Sequence, residues 1–256
     1  MIVLAIGDVV GQAGCEHLRA VLPGLKRRYN ADIVVANGEN AAEGNGILPS
    51  SAAHLRDSGV DVITTGNHVL RRREIYSLLD RKDGLLRPAN YHATAPGAGI
   101  YLHDDPRCSL CVINLQGNVF MQPSLQSPFD CIDALLETVD TPCVLVDFHA
   151  EATSEKKCMG YYLDGRVSAV VGTHTHVPTA DACILPGATG YVTDLGMCGG
   201  AHSVLGVRAE LALERMRTGL PVRFEFDEKE ISLSGVALEI DNATGRCRSI
   251  EQFVAQ

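Results

Sequence analysis

The sequence predicts an α/β fold in which helices flank a parallel β-sheet. Three short apolar runs, residues 2–6, 32–36 and 60–64, have the length and β-branched content of buried strands. A polar, glycine-containing loop and then a segment with helical spacing of apolar residues follow each run. This alternation is typical of parallel sheets with helices on their faces. Open α/β sheets bind ligands at the carboxyl ends of their strands, so the loops after these runs are the first place to look for a site.

The remaining elements extend this pattern along the whole chain. After a turn at residues 11–14, helices are expected to follow each of the first three strands, the second and third at residues 49–57 and 71–79. Further strands are expected at residues 97–103, 109–115, 142–146, 167–171, 181–185 and 191–194, and helices at 128–139, 154–162 and 208–217. Residues 222–240 alternate and predict antiparallel strands. No linker or repeat interrupts residues 1–256, so we expect one domain of two packed sheets with outer helices.

Composition narrows the class of protein. The 256 residues carry a net charge of −9, which argues against a general binder of nucleic acids or anionic membranes. The nine cysteines are scattered, and the C-x-x-C pair Cys108 and Cys111 lies in a strand-like run, so we interpret the cysteines as small apolar residues of a reducing compartment. Residues 1–10 are too short for a signal peptide or a membrane span. We therefore expect a cytoplasmic protein with no membrane partner.

Side chains that bind metals stand at the ends of five predicted strands. They are Asp8, the pair Glu39 and Asn40, the pair Asn67 and His68, His149, and the pair His174 and His176. In an extended segment residues i and i+2 point to the same side, so the last two histidines are expected to face one cavity. Imidazole, carboxylate and amide ligands without thiolate favour iron, manganese or zinc. The sequence thus predicts a metal centre at the carboxyl edge of the sheet.

The ligand set suits two ions rather than one. The two carboxylate oxygens of Glu39 can bridge a pair of cations, Asp8 and Asn40 suit one ion together with a histidine, and Asn67, His149 and the other histidine suit the second. Two ions about 3.5–4 Å apart are a known apparatus for phosphoester hydrolysis. This chemistry makes phosphate esters the expected substrate class.

Each candidate also has a purely structural interpretation. Asp8 could cap a helix, Asn67 could serve a turn, Glu39 could be a solvated loop acid, His149 could be a hydrogen-bonded core histidine, and His68 could be structural or a ligand. The long loop at residues 117–128 is expected to expose Phe120 and Met121, and such loops often act as lids or bind a substrate. Phe120 could stack on a base or simply pack.

The order of the motifs resembles the calcineurin-like metallophosphoesterase superfamily, whose pattern is D-x-H, G-D-x-x-D, G-N-H-[DE], a lone histidine and G-H-x-H. Here Val10 stands in place of the first histidine, Glu39 in place of the bridging aspartate, and Val69 in place of the acid after G-N-H. With these departures the chain is similar, over most of its length, to the bacterial YmdB-type 2′,3′-cyclic-nucleotide 2′-phosphodiesterases.

This resemblance implies a four-layered α/β/β/α sandwich with a centre of two metal ions, iron or manganese. It implies Asp8, Glu39, Asn40 and His176 on one ion, and Glu39, Asn67, His149 and His174 on the other. A metal-held hydroxide would attack phosphorus, and His68 would protonate the leaving 2′-oxygen to yield a 3′-nucleotide.

Other functions remain open from the sequence. One alternative is a metal-dependent phosphomonoesterase, and another is a regulatory RNA- or protein-binding module with a structural metal site. The expected partner is a small phosphodiester or nucleotide rather than a stably bound nucleic acid. Exposed apolar residues such as Phe120 are compatible with a homo-oligomer.

Overall fold

Two β-sheets stacked face to face form the centre of the molecule, in a computed structural model that describes residues 1–256. The first sheet has the strand order β2 (Asp8–Val9), β11 (Met197–Gly200), β12 (Ile231–Ile240), β1 (Ile2–Ile6), β3 (Ile33–Asn37) and β4 (Val62–Thr64), with β13 (Cys247–Ala255) paired to β12. Strands β1, β3 and β4 are parallel, whereas β12 is antiparallel to β1. The parallel strands therefore bring their carboxyl ends to one edge.

The second sheet repeats this arrangement with parallel strands at its centre. Its order is β5 (Ile100–Asp104), β6 (Ser109–Gln116), β7 (Val144–His149), β8 (Ala169–Thr173), β10 (Gly190–Val192) and β9 (Cys183–Ile184). The four strands β6, β7, β8 and β10 are parallel, and the edge strands β5 and β9 are antiparallel to their neighbours.

Helices cover the outer face of each sheet. They are α1 (Gly11–Tyr29), α2 (Pro49–Asp57), α3 (Tyr76–Leu79), α4 (Pro128–Leu136) and α5 (Thr153–Tyr162). A sixth helix, α6 (Ala209–Thr218), is mostly exposed and buries only Ala212. Buried residues of α1, α2 and α3 join one apolar cluster with the first sheet, and Ile132 of α4 and Met159 of α5 join another with the second sheet. None of the helices combines the length and the apolar character that crossing a bilayer requires.

The alternation of side chains along the strands divides the core into layers. In β1, Leu4 and Ile6 pack under the outer helices, whereas Val3 and Ala5 pack between the sheets. In β7, Val146 likewise faces the outer helices, whereas its neighbour Leu145 packs between the sheets. Each valine, leucine or isoleucine side chain among them contributes about 1.5–3 kcal/mol when fully buried. The predicted four-layered α/β/β/α sandwich is thus confirmed, and because both faces of each sheet are buried, the strands are apolar runs rather than alternating ones.

Tertiary contacts moved several predicted boundaries. The predicted turn at residues 11–14 is the start of α1, and Gly14 is needed because an added Cβ would lie 2.4 Å from the carbonyl oxygen of Cys198. The predicted helix at residues 71–79 is only a 3₁₀ turn, Arg73–Ile75, followed by α3. Its start is delayed because Arg72 is extended and donates to the carbonyl of Asn45 at 3.1 Å.

The carboxyl-terminal part of the chain differs most from the prediction. Residues 222–230 form no regular strand; β12 is a single ten-residue strand, and β13, which was not predicted, pairs with it along most of its length. Strand β11 was not predicted either, because it lies in the glycine-rich stretch 196–206, and it occupies the position between β2 and β12. Only Cys247 and Phe253 of β13 are buried, so its sequence carried little strand signal.

Candidate metal centre

The eight candidate residues converge at the carboxyl ends of strands from both sheets. Asp8 lies just after the end of β1, as the first residue of β2, and His149 ends β7. The others stand in the turns that follow β3, β4 and β8: Glu39, Asn40, Asn67, His68, His174 and His176. The side chains of Asp8, Glu39 and His149 are at most 1% exposed, although each carries an ionisable group. Such groups are buried only when paired or bound to a metal.

Three potential ligand atoms surround the Nε2 atom of His149. Its Nε2 atom lies 3.1 Å from Glu39 Oε1, 3.1 Å from Asn67 Oδ1 and 3.1 Å from His174 Nδ1. The ligand atoms of Glu39, His149 and His174 all lie within 4.8 Å of one another. Atoms that bind one ion at about 2.0–2.1 Å are themselves roughly 3.0–3.4 Å apart. The spacing around His149 therefore fits a single ion.

A second group of ligand atoms surrounds Asp8. Asp8 Oδ2 accepts a hydrogen bond from the backbone N–H of His174 at 3.1 Å, but Asp8 Oδ1 is buried without any hydrogen-bond partner. His176 Nε2 lies 3.6 Å from this oxygen. A buried acceptor left unpaired costs about 1–3 kcal/mol. A cation beside Asp8 Oδ1 and His176 Nε2 would remove this penalty, so the residues present fit a second ion here.

All three histidines turn one ring nitrogen towards the centre and bond the other to an acceptor. The acceptors are Thr173 Oγ1 for His149 at 2.9 Å, Glu151 Oε2 for His174 at 3.0 Å and the carbonyl of Leu205 for His176 at 3.1 Å. An outer hydrogen bond of this kind fixes the orientation of the ring and leaves the inner lone pair free for a metal. The hydrogen bonds to the outer ring nitrogens of the three histidines thus also match those of a metal site.

Two buried carboxylates, those of Asp8 and Glu39, favour positive charge at the centre. Burial opposes their ionisation, yet the neighbouring histidines hold the pKa values of Asp8 and Glu39 below their ordinary range. Burial alone would lower the pKa of His176, but Asp8 raises it to about 9, and Glu39 similarly holds the pKa of His149 above its usual value. Burial and the charge of His149 lower the pKa of His174 to about 3. Both carboxylates thus favour a positive charge beside them, and a metal ion at either position would supply it in place of a proton.

Asn40 links the centre to His68. Its Oδ1 atom lies 2.8 Å from His68 Nδ1, and its Nδ2 atom lies 3.1 Å from His176 Nε2 and 3.3 Å from Glu39 Oε1. As a ligand of the ion beside Asp8, Asn40 would have to turn its oxygen towards that ion, on the side where Nδ2 lies here. A half-turn of the planar amide achieves this and brings Nδ2 to His68 Nδ1. Burial lowers the pKa of His68 below its ordinary value, and Glu39 opposes this shift.

The two histidines after β8 reach the centre by a different path from the predicted one. The sequence predicted an extended segment, but His174 has φ 102° and His176 has φ 64°. These residues therefore form a turn in which both side chains face the ligand cluster. The shared direction was predicted correctly, whereas the backbone that produces it was not, because the extended pattern takes no account of the loop that follows β10.

Sequence reasoning missed the buried polar residues behind His149. Thr173 Oγ1, the acceptor of His149, itself donates to Asp147 Oδ1 at 2.7 Å, and Asp147 Oδ2 accepts hydrogen bonds from Thr64 and Asn37. Burial raises the pKa of Asp147 to about 6. The signal was present, since Asn37, Thr64 and Asp147 are polar residues within otherwise apolar strands.

The loop after β6 begins at the same edge as the metal centre. Gly117 donates to the carbonyl of His149 at 3.0 Å, and Glu155 accepts from the backbone N–H groups of Asn118 and Val119. Phe120 is 87% exposed, as predicted, whereas Met121 is buried, contrary to the prediction.

Comparison with known proteins identifies the family. The family model described as YmdB-like protein matches residues 4–253. A protein of Bacillus subtilis (strain 168) named 2′,3′-cyclic-nucleotide 2′-phosphodiesterase is 45% identical over 256 residues, covering 99% of this chain and 97% of its own length.

Two solved structures share both the fold and the sequence pattern. A hypothetical protein from Thermus thermophilus is 43% identical with a TM-score of 0.93, and the match covers 100% of this chain and 99% of that one. A novel phosphatase from Mycoplasma pneumoniae is 34% identical with a TM-score of 0.94, covering 100% and 93%. Each match extends over nearly the entire chain, and the protein therefore belongs to the YmdB-like family.

Proposed function

We propose that this protein is a metal-dependent phosphodiesterase that hydrolyses 2′,3′-cyclic nucleotides to 3′-nucleotides with the help of two metal ions. The observation that carries the proposal is the pair of ligand groups around His149 and Asp8, which Glu39 and Asn40 connect. The name of the Bacillus subtilis relative, 45% identical, supports the substrate class.

The ligand groups divide between two ion positions. Glu39, Asn67, His149 and His174 would hold one ion, and Asp8, Asn40 and His176, with Glu39 between the positions, would hold the other. The mixture of imidazole, carboxylate and amide without thiolate favours iron, manganese or zinc, and the resemblance to the YmdB-type enzymes narrows this choice to iron or manganese. When bound, such ions lower the pKa of water and neutralise the charge that develops on a transferring phosphoryl group.

His68 is the proposed proton donor to the leaving ribose oxygen. The Asn40 side chain is in contact with His68 Nδ1 at 2.8 Å. With its amide turned so that the oxygen faces the ion, Asn40 would donate from Nδ2 to His68 Nδ1, which places the proton of the neutral ring on Nε2, the atom proposed to face the substrate. Its backbone N–H donates to Glu39 Oε2 at 3.0 Å, which anchors the turn to the ligand cluster. A ribose 2′-oxygen is a poor leaving group unless it is protonated, so its departure requires an acid within reach.

The test is removal and return of the metal, combined with one ligand variant. Chelation should abolish hydrolysis of 2′,3′-cyclic AMP, and Mn²⁺ or Fe²⁺ should restore it. Asn67→Ala should weaken metal binding and lower turnover, whereas His103→Ala on strand β5 serves as a matched control and should change neither. Full activity of thoroughly chelated protein, or of Asn67→Ala, would show that the centre does not carry the reaction.

A phosphomonoesterase is the second candidate, since the related Mycoplasma pneumoniae structure is described as a phosphatase. The ratio of the rates on 2′,3′-cyclic AMP and on 3′-AMP separates the two. Our proposal expects the cyclic diester to be the better substrate and 3′-AMP to accumulate; release of inorganic phosphate from 3′-AMP at a higher rate would favour the monoesterase.

A further inference from the structure

A buried ion pair lies against the turn that carries His174 and His176. Lys156 Nζ is 2.7 Å from Asp194 Oδ2, and the two side chains are 1% and 0% exposed. Lys156 belongs to α5 and Asp194 follows β10, so neither is among the proposed ligands. Lysine and aspartate are rarely buried so fully. Because desolvation offsets much of their attraction, a buried ion pair is weak evidence for a role in stability alone.

The pair contacts the backbone on both sides of His174. Lys156 Nζ donates to the carbonyl of Thr173 at 2.8 Å, and Asp194 Oδ2 accepts from the N–H of Thr175 at 3.1 Å. Asp194 Oδ1 accepts from the N–H of Gly196 at 2.8 Å, which fixes the carboxylate itself. One charged pair therefore holds the peptide groups immediately before and after a proposed ligand.

The turn is one that needs such support. With φ values of 102° and 64°, His174 and His176 occupy the region that favours glycine, where a Cβ atom is crowded by the backbone. Non-glycine residues keep such a conformation only where their surroundings impose it. The packing here is tight as well, since a Cβ added to Gly172 would lie 1.8 Å from the carbonyl oxygen of Thr193 and 3.1 Å from Lys156 Cδ.

We infer that Lys156 and Asp194 are positioning residues of the metal centre, which hold the turn so that His174 Nδ1 and His176 Nε2 face the two ion positions. The inference rests on the metal role proposed above for the two histidines. Both ions depend on this one turn, because His174 faces the ligand group of His149 and His176 faces Asp8.

The variant that tests this is the double substitution Lys156→Met with Asp194→Asn. It removes both charges together, so no unpaired charge is left in the interior, and it keeps side chains of similar size. Lys157→Met is the matched control: Lys157 is the next residue of α5, its ammonium pairs with Asp181 at 2.6 Å, and its side chain is 46% exposed. The control removes one positive charge from the same helix without touching the turn.

Two measurements distinguish positioning from general support. In metal-free protein, ring ¹⁵N resonances report which nitrogen of each histidine carries a proton, and we expect those of His174 and His176 to change in the double variant only. By calorimetry, we expect Mn²⁺ binding at both positions to weaken by roughly 10–100-fold, the usual effect of removing a group that orients ligands. Lys157→Met should match the wild type in both.

Unchanged ring resonances and unchanged Mn²⁺ affinity in a folded double variant would overturn the inference. If that variant does not unfold cooperatively, Lys156→Arg decides, because it keeps a charge opposite Asp194 but replaces the compact ammonium that bonds the carbonyl of Thr173 with a larger, planar guanidinium. Lys156→Arg with wild-type ring resonances and wild-type affinity would overturn the inference as well. If the wild-type protein binds Mn²⁺ but does not hydrolyse cyclic nucleotides, only the proposed substrate is refuted. If it binds no Mn²⁺, both the proposed function and the inference about Lys156 and Asp194 are refuted.

Discussion

The two sheets contribute different kinds of side chain to the proposed metal centre. The first sheet supplies the carboxylates and amides: Asp8, Glu39, Asn40 and Asn67. The second supplies only imidazoles: His149, His174 and His176. All members of the first group have negative φ, whereas two of the three histidines have positive φ. The proposed oxygen ligands thus come from ordinary strand ends, while the proposed imidazole ligands need support from residues outside the ligand set.

Nearby residues hold the carboxylate of Glu39, whereas residues from distant segments hold the turn of His174 and His176. Glu39 is fixed by its own neighbourhood, since its N–H donates to Asn37 Oδ1 and its carboxylate accepts from the N–H of His68. The histidine turn depends on Lys156 and Asp194, which come from a helix and from a loop after a different strand. The imidazole side of the centre should therefore be the more sensitive to distant substitutions.

The largest effect is expected at Glu39, the residue that we propose is shared by both ions. Glu39→Gln keeps the shape of the side chain but removes a buried negative charge between the two proposed ion positions. We expect activity on every phosphoester to fall by more than ~100-fold, the upper range for residues that merely support a ligand. Metal content by mass spectrometry and steady-state rates test this. Glu43→Gln, whose side chain is 86% exposed in the same loop, is the control; equal losses in the two variants would contradict the assignment.

A selective loss is expected at His68. His68→Ala should lower kcat on 2′,3′-cyclic AMP by about 10²–10⁴-fold, the usual contribution of a general acid. The loss on bis(4-nitrophenyl) phosphate should be much smaller, because nitrophenolate leaves without a proton. Metal content should stay at the wild-type level. An equal loss on both substrates would mean that His68 serves the centre in some way other than by proton donation.

The neighbouring lysines of α5 should differ in their effect on stability. Lys156→Met leaves the charge of Asp194 buried and unpaired, and we expect the free energy of unfolding to fall by about 3–5 kcal/mol. Lys157→Met breaks a partly exposed pair, for which about 0–1 kcal/mol is usual. Urea unfolding at neutral pH measures both. Similar losses of unfolding free energy in the two variants would show that burial does not make the Lys156–Asp194 pair more important for stability than the Lys157–Asp181 pair.

The smallest effect is a dependence of stability on pH at Asp181, the partner of Lys157. Burial opposes its ionisation, yet hydrogen bonds from Lys157, Thr193 and Thr179 hold its pKa well below the ordinary value of 3.8. A lowered pKa stabilises the fold fully above pH 3.8 and loses this contribution as the pH falls towards the folded-state pKa. The difference in unfolding midpoint between wild type and Asp181→Asn should therefore shrink below pH 4. A difference that stays constant with pH would exclude this linkage.

The sequence alone determined the alternation of strands and helices and the places where ligands stand. Apolar runs mark the strands because both faces of each sheet are buried, and the residues after those runs meet because parallel strands end at one edge. Asp8, Glu39, Asn67 and His149 could be predicted to converge on this ground. The family resemblance then added the four-layered sandwich, which the packing of β1 and β7 confirms.

Only the tertiary structure decided how the histidine turn is held and how the ligands face one another. Lys156 and Asp194 are 38 residues apart and belong to no local motif, so their pairing follows from the packing of α5 against the loop after β10. The outer hydrogen bonds of His149 and His176 likewise come from distant residues. Strand β13 also depends on distant contacts, because its pairing with β12 outweighs the weak preference of its own sequence for a strand. Spacing along a chain reports which residues can share a face, but contacts between remote segments are set by the packing of the whole molecule.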